Sequence, residues 1–348
     1  MPRRIPCPAK ALRAALTAVA VIVATVAATG VAAAQAGPIG SLRPVVEAAG
    51  GRDVQPNPLA ARPLYVEPHS AVRVRERRWH ASRPDDAALL ARIAEQSQGL
   101  WLGEWRRDVR GTVAARVKAG LRTGSTPILV AYNIPHRDCG LHSSGGASDG
   151  RAYRAWIAQM ARGIGGAPAI VILEPDALAG MGCLPRRLRA ERSRLIREAV
   201  ATLSALPQTA VYIDAGNPGW MPARRIAKRL RAAGVARARG FSVNVSGFAT
   251  TARSLAFGRA VSRRTGGARF VVDTSRNGLG VPRSREWCNP PGRALGPAPT
   301  AVTGEPLADG LLWVKRPGES DGTCNGGPPA GIFWPEYALG LARRAPAS

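Results

Sequence analysis

Histidine and aromatic side chains are scarce in this 348-residue chain: there are four His, and Phe, Trp and Tyr together make up 5%. Few His and no C-x-x-C spacing argue against a structural zinc site. No G-x-G-x-x-G follows an apolar run, which argues against a dinucleotide-binding sheet. No Ser/Thr/Pro-rich linker and no second module interrupts the chain, so its length suits one large α/β domain with short extras. Acids are outnumbered, 23 against 49 Lys and Arg, for a formal charge of +26. That charge is nearly all arginine, spread over predicted helices such as 186–197 and 224–231. No compact basic block with interleaved aromatics appears, so composition accounts for the charge and no nucleic-acid partner is expected. No metal or organic cofactor is implied.

The N-terminus reads as an export signal over residues 1–36. Arg3, Arg4, Lys10 and Arg13 precede an apolar stretch that ends in the small-residue site Ala34-Gln35-Ala36. The uncharged run is also long enough to span a bilayer if left uncleaved, but the A-x-A end favours cleavage. Its removal takes four cations and no acid from +26, leaving +22 on a secreted chain with no membrane attachment. Cys7 leaves with it. Four cysteines remain, which an oxidising compartment would pair. They allow three pairings, and order along the chain suggests Cys139–Cys183 and Cys288–Cys324. Oligomeric state is not legible, and a monomer is the default expectation.

Residues 37–62 lack periodic pattern and read as a lead-in, followed by a single domain over 63–348. Seven strand candidates lie at 99–105, 127–133, 169–174, 210–214, 240–245, 269–273 and 310–315. Helical patterns fill most of the space between them, at 86–96, 109–122, 151–164, 186–206, 222–233 and 251–264, and 335–344 closes the chain. Strand–helix alternation predicts a parallel sheet with right-handed crossovers, here a closed or nearly closed barrel.

Several strands run from apolar residues into acids: Glu174 and Asp176, Asp214, Asp273, and Glu319 and Asp321. In a β/α barrel those ends converge on one face, where catalysis is found. Paired carboxylates there can serve as acid and base in glycoside hydrolysis. Trp101, Trp220 and Trp287 fall in rim segments beside polar residues, where a flat ring can stack on a sugar. Core packing is the alternative for any one Trp, as helix or turn capping is for Asp214 and Asp273.

The stretch 130–146, with Tyr132, Arg137, Asp138, Cys139 and Ser144, resembles the first signature of glycoside hydrolase family 6 cellulases. Residues 170–178, with Glu174, Pro175 and Asp176, resemble the second. Segments around Asp214, Asn244, Asp273, Trp287 and 313–322 match in order, so the resemblance covers about residues 64–342. It implies a distorted, TIM-like seven-stranded parallel β/α barrel that hydrolyses β-1,4-glucan with inversion.

Carried over position by position, the resemblance makes Asp176 the general acid. Asp138 is the carboxylate that raises its pKa, itself kept ionised by Arg137. Asp138 and Ser144 hold the attacking water, and Tyr132 crowds the reacting sugar. Asp321 is the candidate base, with a water chain past Ser144 and Asp138 as the other route. Trp101, Trp220 and Trp287 would stack on sugars, and Asp214, Asn244, Lys315 and Glu319 would be polar substrate contacts. Only eleven residues separate Asp321 from Phe333. A loop so short is not expected to roof a tunnel, which predicts an endoglucanase. A cellobiohydrolase of the same family, or a noncatalytic basic polysaccharide-binding protein, are the alternatives.

Overall fold

The computed structural model describes residues 56–140 and 143–346. The expected export signal and Cys7 lie outside the described residues. Seven parallel strands pair in chain order: β1 (Leu100–Leu102), β2 (Ile128–Ala131), β3 (Ala169–Leu173), β4 (Thr209–Asp214), β5 (Gly240–Val243), β6 (Arg269–Asp273) and β7 (Ala308–Leu312). No ladder joins β7 to β1. Instead the Gly99 N–H donates to Trp313 O at 3.0 Å and the Trp101 indole N–H to Val314 O at 2.9 Å. The curled sheet is thus nearly closed, as the alternation predicts.

Side-chain alternation sorts the strand residues into two layers. Ile128, Val130, Ile170, Ile172, Tyr212, Val271 and Leu312 pack together inside the curl. Leu129, Val171, Leu173, Val211, Ile213, Phe241 and Val272 face the helices. Being buried on both faces explains why these strands read as unbroken apolar runs. Leu59 belongs to the inner layer and Asn57 donates to Asp309 O at 2.7 Å, so the ordered fold takes in part of the expected lead-in.

The helices are α1 (Ala71–Trp79), α2 (Pro84–Ala94), α3 (Val109–Arg122), α4 (Gly150–Ile164), α5 (Arg186–Ser204), α6 (Ala223–Ala232), α7 (Thr251–Ser262) and α8 (Pro335–Arg343). Asp108 and Asp149 cap α3 and α4, each accepting a backbone N–H at 2.8 Å. Such a cap contributes about 1 kcal/mol. α1 was not expected from the sequence. It buries only Val72, so no apolar period marks it. It is held by its Ser70 cap, the Arg73–Glu76 pair at 3.1 Å, and packing on α2.

Candidate active site

Continuing the inward register past the strand ends places Tyr132 after β2 and Asp214 and Asp273 at the ends of β4 and β6. The β3 end departs from this register: Glu174 and Asp176, either side of Pro175, both take positive φ (52° and 68°). Such backbone costs roughly 1–3 kcal/mol per residue and gathers at functional sites. It swings Glu174 against the β2 extension, where its carboxylate accepts from Asn133 N and Ile134 N at 3.0 Å. Glu174 is 1% exposed. Burial raises its pKa to about 7 against the pull of those N–H groups.

Asp176 is half-buried, and its Oδ1 is enclosed with no hydrogen-bond partner. Burial, then the Asp214 carboxylate, then Asp138, push its pKa well above the usual carboxylate range. That is the direction a general acid needs. Asp138 was expected to be the chief neighbour in this role, and the structure puts Asp214 ahead of it. Asp214 is fully buried rather than on the rim. Its Oδ2 accepts from Asp176 N at 2.9 Å and Gly216 N at 2.8 Å, and its Oδ1 from the Ser242 hydroxyl at 3.0 Å. Burial outweighs these bonds and raises Asp214 to about 6.

Asp138 follows a turn in which His136, Asp138 and Cys139 all have positive φ. Its carboxylate accepts from Ser143 N at 2.8 Å. Arg137 does not pair with it. The turn sends the guanidinium the other way, into a fork on Glu104 at 2.8 and 2.9 Å, with further bonds to the carbonyls of Tyr132, Ser143 and Ser144. Arg137, expected to act on Asp138, therefore braces the loop through Glu104 and three carbonyls instead. Ser144 is exposed beside it. Tyr132 meets Trp101 edge-on with centroids 5.1 Å apart, and burial followed by the Asp176 charge raises its pKa.

Asp321 sits in a separate cluster. Arg276 Nη1 lies 2.6 Å from its Oδ2 and Lys315 Nζ 3.1 Å from its Oδ1, and Asn289 N donates at 3.0 Å. Burial would raise its pKa, but the two cations outweigh it and hold the carboxyl well below its ordinary value. Such an anion is a weak proton acceptor. Lys315 is likewise engaged with Asp321. Glu319 pairs with Arg316 at 2.5 Å, and both line a cavity of about 370 Å³ with Glu67, Arg106 and Arg116. Asn244 is fully buried, its amide bonded to Ala249 and the Asp273 carbonyl, so it shapes the floor rather than the surface. Asp273 is also structural, accepting from Ser246 N, Ser275 N and Lys315 N.

Of the rim tryptophans, Trp220 and Trp287 are 53% and 45% exposed, and Trp101 is half-buried. Disulfides join Cys139 to Cys183 and Cys288 to Cys324, the pairing suggested by chain order. The first ties the Asp138 loop to the segment after Asp176. Arg192, on α5, ties the same two segments from beneath, donating to the carbonyls of Pro135, His136 and Ala177. Sequence reading passed over Arg192, Arg276 and Glu104, because nothing local separates them from the many other charged residues. Among the described residues no cluster of His, Cys, Asp and Glu is placed to hold a metal ion.

Comparison with known proteins agrees with this architecture. Endoglucanase A of Cellulomonas fimi is 46% identical over 284 residues, 81% of this chain. This chain spans only 61% of that relative's length. Endoglucanase 1 of Streptomyces halstedii is 45% identical over 287 residues, covering 79% of this chain and 87% of the relative. The solved structure of the endoglucanase Cel6 from Mycobacterium tuberculosis, in complex with a methyl-cellobiosyl-4-deoxy-4-thio-β-D-cellobioside, superposes with a TM-score of 0.79 at 48% identity. It covers 83% of this chain and 99% of that one. The profile of the family described as glycosyl hydrolases family 6 matches residues 59–345, and the chain belongs to that family.

Proposed function

We propose that the protein hydrolyses internal β-1,4-glucosidic bonds of cellulose or a related β-glucan, with inversion at the anomeric carbon. The observation that carries this is Asp176: half-buried, with an unpartnered carboxylate oxygen, and a pKa pushed up by burial and two neighbouring carboxylates. Its proton goes to the glycosidic oxygen as the C1–O bond breaks. A water attacks C1 from the opposite face, and its proton leaves through the Ser144–Asp138 side. Asp138 is the better acceptor because two cations already hold the Asp321 charge. Tyr132, beside Asp176, crowds the reacting sugar toward its distorted ring, which directs binding energy into the transition state. Trp101, Trp220 and Trp287 supply stacking faces.

Endo action follows from the short segment after Asp321. It folds back through the Glu319–Phe333 bridge and is fastened by Cys288–Cys324, leaving Trp220 and Trp287 exposed. A chain middle can enter such a cleft. Two disulfides suit an oxidising compartment, in line with export by residues 1–36. The test is hydrolysis of cello-oligosaccharides with anomeric detection by NMR, and viscometry on carboxymethylcellulose. α-Anomeric products and an early fall in viscosity are expected. β-Anomeric products would refute inversion, and reducing ends released without a viscosity fall would make the enzyme a cellobiohydrolase.

A further inference from the structure

From Ala215 to Val272 the chain contains twelve Arg and Lys and no Asp or Glu. Arginine-rich composition explains the cations but not the absence of acids, which occur on both sides of this stretch. It forms α6, β5 and α7, and the two helices pack side by side outside the sheet. Some of the cations are used internally. Arg239 and Arg259 reach Asp309 and Glu305 from elsewhere in the chain, and Arg229 donates to the carbonyls of Leu178 and Ala179. Arg224, Arg225, Lys228, Arg237 and Arg263 are exposed and have no carboxylate partner among the described residues.

Arg224, Lys228 and Arg231 stand at i, i+4 and i+7, a row with neighbours about 5–6 Å apart on one helix face. Like charges so spaced destabilise a helix. A surface needed only for solubility would intersperse both signs. The wall reaches the segment of the exposed Trp220 through α7: a Cβ on Gly219 would stand 3.0 Å from the Arg253 guanidinium.

We infer that the α6–α7 wall is a docking surface for a linear, carboxylate-bearing polysaccharide lying beside the neutral glucan. Guanidinium forks match carboxylates in geometry and charge. A chain with one carboxylate per sugar presents its anions at an interval comparable to the cation row. α6 has no aromatic residue and Phe257, the one aromatic of α7, is packed inward, so the wall offers no platform for nucleic-acid bases. Held there, the enzyme stays on a mixed polymer. The choice of a polysaccharide rests on the hydrolase reading above.

The test compares two four-site variants on immobilised polygalacturonate over a range of NaCl concentrations. One carries Arg224→Gln, Arg225→Gln, Lys228→Gln and Arg263→Gln. The other removes the same charge from α1 and α3, through Arg77→Gln, Arg78→Gln, Arg110→Gln and Arg122→Gln. The wall variant should bind about tenfold more weakly at low salt, with a shallower salt dependence, and the control less than twofold more weakly. Both should hydrolyse cellotetraose like the parent. Equal losses in the two variants, or no loss in either, would overturn the proposal. So would tighter parental binding to duplex DNA than to polygalacturonate at the same salt. Parental cellotetraose hydrolysis is read separately, so an inactive parent counts against the hydrolase reading and not against the surface.

Discussion

Replacing Asp214 by Asn isolates its charge with little change in shape. Its Oδ2 accepts from Asp176 N and Gly216 N, and its Oδ1 from the Ser242 hydroxyl. An Asn oxygen in the Oδ2 position keeps both backbone bonds. The new amide then faces Ser242, whose hydroxyl can turn to accept. The Ser242 O–H then loses the acceptor it had, so a cost to stability of about 1–3 kcal/mol is expected, and the variant is read only where its melt shows it folded. What disappears is the anion that ranks first among the charges raising Asp176.

An anion at such range raises a carboxyl pKa by about 1–3 units. Three donors already draw on the Asp214 charge, which favours the lower end. A loss of one unit is about 1.4 kcal/mol, or tenfold in protonated Asp176 above its new pKa. Activity that needs protonated Asp176 falls as pH rises through that pKa, so the alkaline limb of kcat should move about one unit toward acid. Below about pH 6 Asp214 is itself neutral, and there variant and parent should converge. The assay is a pH–rate profile on a soluble β-glucan, with Tm measured in parallel. Asp138→Asn should move the limb less. An unmoved alkaline limb in a folded Asp214→Asn protein, with a large shift in Asp138→Asn, would refute this ordering of the two anions.

Asp176→Asn should lower kcat by a hundredfold or more on an unactivated glucan, general acids contributing about 10²–10⁴; near-full activity would remove Asp176 from the mechanism. Asp321→Asn leaves the Arg276 guanidinium, 2% exposed, without its anion, and should destabilise by about 3–5 kcal/mol in a melt. Adding Arg276→Met should recover much of that stability but not activity, and full recovery of both would show that the pair serves the fold alone. Glu174 binds its proton more tightly folded than unfolded, so its contribution to stability is present at low pH and lost as pH rises through about 7. Glu174→Gln should therefore flatten the decline of Tm between pH 5 and 8, and an unchanged slope would contradict the burial argument. Cys139→Ala with Cys183→Ala opens a loop of 44 residues and should cost about 3–4 kcal/mol by chemical denaturation, with kcat falling more than KM rises.

The barrel was readable in the sequence because strands buried on both faces are continuous apolar runs, and the acids mark where they stop. α1 was not, because a helix with one buried residue carries no period. At the site, residue identity and position were legible but contacts were not. Arg137 stands next to Asp138 in the chain, yet a positive-φ turn parts their side chains and sends Arg137 to Glu104. Asp214 resembles a substrate contact in linear order, but it lies below the rim because the inward register of β4 carries it against the backbone of Asp176. A motif therefore fixes which groups meet at a strand end without fixing which of them faces the ligand. The register sorts the acids further. Asp176 lies beside the carboxylates of Asp214 and Asp138, which with burial push its pKa up, while Asp321 lies between two cations that hold its pKa down. In the proposed mechanism that division favours proton release past Asp138, with Asp321 anchoring Arg276 and Lys315.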